Sequence, residues 1–160
     1  MAAVVKPAIQ MRAMRSEDLA RVSELETVSY EFPWALGVFA DCLKVAHPCW
    51  VLCVDARVAG YGILSMGAGE AHVLNICIDP DYRWQGLGRH LLRRLLDVAR
   101  WNGAERVFLE VRPSNPLAKM LYDSMGFVEI GKRPRYYPAR DGREDAIVMV
   151  LEFGPAPAAT

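Results

Sequence analysis

The sequence predicts an α/β fold, a mixed and mostly antiparallel seven-stranded sheet with helices on both faces. Three observations lead there. Short apolar or alternating runs and amphipathic stretches follow one another as strand, two helices, three strands, helix, strand, helix, two strands. The long amphipathic stretch from Leu87 joins two of those strands as a crossover, which makes the two parallel neighbours. The other strand pairs are expected to be largely antiparallel. No internal repeat interrupts the order, and one domain over 1–160 is expected, with loose ends at 1–8 and 154–160.

Ile9 to Met14 alternates apolar and polar residues as a half-exposed strand does. Ser16 is expected to cap a helix, with Glu17 and Asp18 in its first turn and Leu19, Val22, Leu25 and Val28 as its apolar stripe. Phe32-Pro-Trp34 breaks that helix and starts a second, running to about Lys44. Its aromatics either staple the two helices together or line a pocket. Trp50–Asp55, Ala59–Met66 and Glu70–Ile78 read as strands, with turns at Asp55-Ala-Arg and Gly67-Ala-Gly.

The crossover helix places Leu87, Leu91, Leu92, Leu95, Leu96 and Ala99 on one side. Arg89, Arg93, Arg94 and Arg100 fall on the other, and Gly103 stands at the stop. Glu105–Val111 is a further strand. Asn115 as N-cap and Pro116 at the first helical position open a helix that Gly126 closes. Phe127–Arg133 and Glu144–Phe153 are the closing strands, with Pro134 to Arg143 expected as a polar, aromatic-bearing loop.

Composition excludes several classes of function. Nineteen basic residues balance nineteen acidic ones, so no global field favours nucleic acid or an anionic membrane. No run approaches the roughly 18 apolar residues of a membrane helix, and Met-Ala-Ala-Val-Val-Lys lacks the pattern of a signal peptide. A cytoplasmic protein is expected. His47-x-Cys49-x-x-x-Cys53 could be a partial zinc site, but it lacks a fourth ligand. Cys49, Val51 and Cys53 also alternate along one face of a strand, where cysteine is a small hydrophobe. No metal is expected.

The informative stretch is Asn75-Ile-Cys-Ile-Asp-Pro-Asp-Tyr-Arg-Trp-Gln-Gly-Leu-Gly-Arg-His-Leu-Leu. An apolar strand ends at Asp79-Pro80, and Gly86-Leu-Gly88 opens a helix. Glycines and backbone N–H groups at a helix start suit an anion, usually a phosphate. The P-loop pattern Gly-x-x-x-x-Gly-Lys-[Ser/Thr] is absent, and Gly86-Leu-Gly-Arg-His-Leu91 lacks the third glycine of a dinucleotide fingerprint.

The pattern Ile76-x-Ile78-x-Pro80-x-x-Arg83-x-x-Gly86-x-Gly88 resembles the acetyl-CoA motif of the GNAT N-acetyltransferases. Leu109-Glu-Val-Arg-x-Ser-Asn115, Leu121-Tyr122, Gly126-Phe127 and Tyr136-Tyr-Pro-x-x-Asp-Gly-Arg-Glu-Asp-Ala146 are similar to their RimI-type branch, which acetylates the N-terminal alanine of protein eighteen of the small ribosomal subunit. The resemblance runs from about Arg12 to Phe153. It implies a GNAT-like sheet whose two central parallel strands splay to admit the pantetheine arm, with acetyl-CoA as co-substrate. It implies that Ile76, Cys77 and Ile78 pair with that arm. Trp84, Gln85, Gly86, Leu87, Gly88 and Arg89 would hold the pyrophosphate, Asn115 would contact the cofactor, Glu110 would be the base and Tyr122 the acid. The implied partner is a ribosomal protein or another peptide N-terminus, without direct contact to nucleic acid or membrane.

The residues carry their own readings. Glu110 shares a strand face with Phe108, opposite Val107, Leu109 and Val111, and is either an exposed strand carboxylate or a base. An α-amine has a reference pKa of about 7.7–8.0, so a base is needed near neutrality. Tyr122 is either a partly buried core residue or the proton source for a departing thiolate. Asn115 is fully explained as an N-cap, and both of its roles can hold. His72 and His90 have no partner legible in the sequence and read as surface or helix residues. No Cys–His or Ser–His arrangement supports an acyl-enzyme, so direct transfer in a ternary complex is expected, with a backbone N–H near Cys77 on the oxyanion. The other readings are an acetyltransferase for a different peptide N-terminus or small amine, and a non-catalytic acyl-CoA-binding module.

Overall fold

The computed structural model describes residues 6–154. Seven strands, β1 (Ile9–Ala13), β2 (Cys49–Val54), β3 (Arg57–Gly67), β4 (Glu70–Ile78), β5 (Arg106–Val111), β6 (Val128–Ala139) and β7 (Gly142–Glu152), make one sheet. Their spatial order is β1-β2-β3-β4-β5-β7-β6. Four α-helices accompany them: α1 (Leu19–Ser29), α2 (Leu36–Lys44), α3 (Leu87–Trp101) and α4 (Pro116–Ser124). β4 and β5, the strands on either side of α3, pair in parallel as expected of a crossover. The ladder joins Glu70–His72 to Arg106–Phe108, and the strands run on past it to Ile78 and Val111. β1 with β2, β2 with β3, β5 with β7 and β6 with β7 are antiparallel. The expected loose ends at 1–8 and 154–160 lie mostly outside the described residues. Ala8 is tied down, exchanging hydrogen bonds with Asp55.

The contacts divide the chain into two compact units. One runs to Ile63 and resumes over Asn75–Arg94; the other takes Leu64–Leu74 and the chain from Leu95.

In the first unit, Asp55 and Ala56 both take positive φ (49° and 67°), the geometry of a tight hairpin turn between β2 and β3. Leu52, Val54, Ala59, Leu87 and Leu91 form a buried cluster, with Met11, Ile76, Ile78 and Tyr82 packed on it. Ser16 does not cap the first helix as expected. A one-turn 3-10 helix at Ser16–Asp18 precedes α1, and the Asp18 carboxylate closes the start of that turn, accepting from the Arg15 backbone N–H at 2.8 Å and pairing with Arg12 at 2.7 Å, while α1 itself begins without a side-chain cap. Val28 leaves the expected stripe for solvent, and Glu26 takes a buried place beside Val22 and Leu25. The Trp34 ring packs onto α2 and, through it, the sheet: it lies 5.2 Å from Phe39, which lies 5.5 Å from Tyr61 of β3. Phe32 stays exposed.

All four cysteines are free and buried. Cys49 and Cys53 are core residues of β2, and burial pushes the Cys49 thiol up to about 12.

In the second unit, Val107, Leu109 and Val111 are buried on one face of β5. Asn115 caps α4 through its side-chain oxygen, which accepts from Ala118 N–H at 3.3 Å. The chain leaves α4 through Gly126 at φ 97°, and Phe127 packs edge-on against Tyr122.

The expected loop from Pro134 to Arg143 is instead strand. β6 and β7 continue as one hairpin, with Tyr137 opposite Glu144, Pro138 opposite Arg143 and Ala139 opposite Gly142. An irregularity between Arg133 and Tyr137 absorbs Pro134 and puts Arg135 at φ 53°. Asp145 accepts from Arg135 N–H, and Arg143 donates to the Arg135 and Tyr136 carbonyls, so side chains replace the missing ladder bonds.

Two outcomes test this packing. A Cβ on Gly60 would stand 2.9 Å from the Cys77 carbonyl oxygen and 2.7 Å from Ile78 Cδ1. Gly60→Ala should therefore cost about 1–3 kcal/mol in urea unfolding, and an unchanged midpoint would contradict the close approach. Thiol titration of the native protein at pH 8 should be slow, with all four cysteines reacting only after denaturation. Immediate reaction of four thiols would contradict their burial.

Candidate active site

Two sets of predicted residues lie in different units. The first follows β4. Asp79 is buried at the strand's end, and its N–H donates to the Ala59 carbonyl at 2.7 Å. Its carboxylate accepts from Asp81 N–H at 2.9 Å and pairs with Arg21 at 2.6 Å. The chain then turns through Pro80–Tyr82, and the Arg83 side chain donates back to the Ile78 carbonyl at 3.3 Å. Trp84 and Gly86 take positive φ of 67° and 75°. At Gly86 that conformation suits the residue, whereas at Trp84 a bulky side chain is held in a region it rarely enters.

The bond from His90 N–H to the Gly86 carbonyl is an α-helical bond at the start of α3. Backbone N–H groups in a helix's first turn have no carbonyl a turn behind them, which leaves them for a ligand. Leu87 spends its side chain in the core cluster, so only its backbone is available. Gln85, Gly86 and Arg89 are exposed, and Trp84 is 86% exposed.

The strand leading into this loop is braced from below. Glu26, 2% exposed, accepts from the Tyr61 hydroxyl at 2.6 Å, Asn75 Nδ2 at 2.8 Å and Trp34 N–H at 2.9 Å. The Tyr30 hydroxyl donates to the Ile76 carbonyl at 2.7 Å. Cys77 is buried with its thiol 3.3 Å from the Ser29 hydroxyl, and burial pushes that thiol up.

The second set surrounds Glu110, whose side chain is 6% exposed. One carboxylate oxygen meets Nε2 of His72, and the other lies 3.1 Å from Nε of Arg133. The three come from β4, β5 and β6. They share a pocket of about 450 Å³ with Ser65, Glu70 and Phe108 among its walls. Sheet register accounts for the meeting: His72 pairs with Phe108, and Glu110 is two residues along the same face.

Tyr122 is buried, and that burial pushes its phenol up to about 12. It therefore keeps its proton throughout the neutral range. Burial also pushes Tyr137 up, reinforced by the charge of Glu110, and Tyr122 is a further group within its electrostatic reach. Asn115 is exposed, with its side-chain oxygen committed to the cap.

The expectation that His72 stands alone is corrected by this geometry. Its signal in the sequence was parity: β4 and β5 had to be set in parallel register before His72 and Glu110 could be seen on one face. In the sequence Arg133 stands at the end of a closing strand without a role, and Tyr137 reads only as part of an aromatic-bearing loop, not as a strand residue near Glu110.

The profile of the Acetyltransferase (GNAT) family matches residues 10–127. The chain is 40% identical over 139 residues to the [ribosomal protein bS18]-alanine N-acetyltransferase of Escherichia coli (strain K12), covering 87% of this chain and 94% of that one. A crystal structure of the ribosomal-protein-S18-alanine N-acetyltransferase from Escherichia coli superposes with a TM-score of 0.87 at 37% identity, over 96% of this chain and 99% of the other. The same fold, at 20% identity and a TM-score of 0.78, occurs in yncA, a putative acetyltransferase from Salmonella typhimurium solved with its cofactor acetyl-CoA; the match covers 96% of this chain and 98% of that one.

Proposed function

The chain belongs to the GNAT acetyltransferase family, and from that membership we propose that it moves the acetyl group of acetyl-CoA to the α-amine of an N-terminal alanine. The acceptor in this reading is protein eighteen of the small ribosomal subunit, attacked directly in a ternary complex. The whole chain, 1–160, acts as one acetyltransferase domain in the cytoplasm. Among the described residues, no helix is long and apolar enough to cross a membrane.

The observation that carries the reading is Glu110, a carboxylate buried on the edge of a pocket between the imidazole of His72 and the guanidinium of Arg133 rather than in apolar packing. A buried charge is costly to keep, and a pocket carboxylate has a use when the substrate arrives as an ammonium. Glu110 takes the ammonium proton, the freed amine attacks the thioester carbonyl, and the intermediate collapses to the amide. Tyr122, still protonated at neutral pH, gives its proton to the leaving thiolate and regains one from the second proton that the attacking nitrogen sheds.

The donor falls to the other set of residues. Ile76, Cys77 and Ile78 lie along the pantetheine arm, and a backbone N–H near Cys77 stabilises the oxyanion. The backbone from Trp84 to Arg89 holds the pyrophosphate, and Asn115 adds a cofactor contact beside its capping role. The fit of an anion to the loop is supported by Asp79, whose charge is already matched by Arg21 at 2.6 Å, and by the helix-start amides beyond it.

Mass spectrometry of the protein with acetyl-CoA and a peptide carrying the ribosomal N-terminus should show a single acetyl gain on alanine. Acetylation of other peptides or small amines, with none on this one, would overturn the acceptor. No transfer to any amine despite acetyl-CoA binding would overturn the enzyme. Glu110→Gln should lower kcat by about 10²–10⁴-fold near pH 7 and recover partly at high pH, where the amine is already free. Equal activity of variant and wild type at both pH values would remove Glu110 as base. Tyr122→Phe should slow release of CoA by a similar factor, and wild-type Tyr122 should impose no alkaline fall in rate below about pH 11, since its proton is lost only near 12.

A further inference from the structure

We infer that His72 is the relay that carries the proton from Glu110 to solvent in each turnover. The inference rests on Glu110 being the base. It begins with the proton count. An ammonium acceptor and an acetyl thioester become an amide, a thiol and one free proton. Two protons leave the nitrogen; the thiolate takes the equivalent of one, through Tyr122, and the other must reach water before Glu110 can act again.

The routes out of Glu110 are few. Its side chain is 6% exposed, and each of its oxygens faces a nitrogen. Nε of Arg133 lies 3.1 Å from one oxygen, but a guanidinium is permanently protonated and cannot accept. Nε2 of His72 meets the other oxygen. Imidazole is the side-chain type that takes and gives protons near neutrality, and the His72 ring is 30% exposed. The carboxylic acid formed on Glu110 gives its proton to Nε2, restoring the carboxylate and making an imidazolium. The imidazolium loses a proton to bulk water at its exposed edge, and tautomer exchange through that same cation resets the ring.

The charged and titratable groups around His72 suit this traffic. β4 contributes Glu70, paired with Arg106 of β5 at 3.8 Å. β5 also contributes Glu110, and β6 contributes Arg133 and Tyr137. β3 and β7 offer Ser65, Met66, Gly67 and Val148, none of which titrates in this range. Among these groups, His72 alone combines contact with Glu110, partial exposure and a ring that can both accept and release a proton.

His72→Gln keeps a polar amide against the Glu110 oxygen and removes the relay. Assayed with acetyl-CoA and an alanine-starting peptide at pH 7, it should lose about 10²-fold in kcat while KM for both substrates stays within twofold. Added imidazole should restore kcat in proportion to its concentration, and the wild type should show no such dependence. His72→Asn, equally unable to relay, should behave alike, and matching thermal unfolding of both variants excludes misfolding as the cause. Wild-type kcat without buffer dependence in either folded variant would overturn the relay. Losses that imidazole does not rescue would overturn it too, by making His72 merely structural. Glu110→Gln, run alongside, separates the two readings. If it is inactive while the His72 variants are normal, the relay fails and the base stands; if it keeps full activity, the base itself fails.

Discussion

Buried carboxylates set the terms of this structure. Removing a carboxylate from water costs several kcal/mol unless charge or hydrogen bonds replace the lost solvent, so each buried acid dictates what must surround it. In the first unit, Glu26 needs Tyr61, Asn75 and the Trp34 amide, and Asp79 needs Arg21 and the Asp81 amide. The first set ties α1 and the start of α2 to the root of the strand that ends in the glycine loop. The second fixes the point at which that strand stops. Neither group is required by the hydrophobic core, which Leu52, Leu87 and Leu91 supply. What they add is geometry: the loop from Arg83 to Gly86, with two positive-φ residues, hangs from a braced strand end rather than from a fraying one.

The same rule operates in the second unit around Glu110, with a different result. Arg133 of β6 matches its charge and His72 of β4 meets its other oxygen, and both are partly exposed, at 57% and 30% of their side chains. The compensation is therefore reversible. Glu26 is locked by neutral donors in the interior, whereas Glu110 is held by partners that can exchange with water and with an incoming ammonium. That contrast separates a structural carboxylate from one available for chemistry, although both are scarcely exposed.

Much of this was legible in the residues, for identifiable reasons. The crossover helix announced itself through the spacing of Leu87, Leu91 and Leu95, and the parallel pair followed from the direction of the chain. Asn115-Pro116 marked the start of α4 because cap chemistry is local. What failed was non-local. Ser16 has good cap chemistry, but the chain there makes a 3-10 turn that Asp18, held by Arg12, closes at Arg15, and α1 starts beyond it without a side-chain cap. Pro134 argues against strand in isolation, yet an irregularity and three side-chain bonds let β6 pass through it. His72 and Glu110 stand 38 residues apart, and only register joins them.

The extension of β6 also changes what Tyr136 and Tyr137 can do. In a loop they would be free to adapt to an acceptor. In a paired strand their positions follow from the ladder, with Tyr137 opposite Glu144. Glu144 accepts from both the amide and the hydroxyl of Ser114 and pairs with Arg112 at 3.2 Å. Burial pushes the Glu144 carboxyl up, but those hydrogen bonds outweigh it and hold the group below its usual range. Arg112 in turn lies 4.3 Å over the Tyr137 ring and donates to the Pro138 carbonyl. One carboxylate thus binds the end of β5, the hairpin and the approach to α4 into a single frame around Glu110 and Tyr122. In the proposed reaction this frame favours a base and an acid whose separation is set before the acceptor arrives, so that selectivity comes from fitting the peptide to a fixed wall rather than from a loop closing over it.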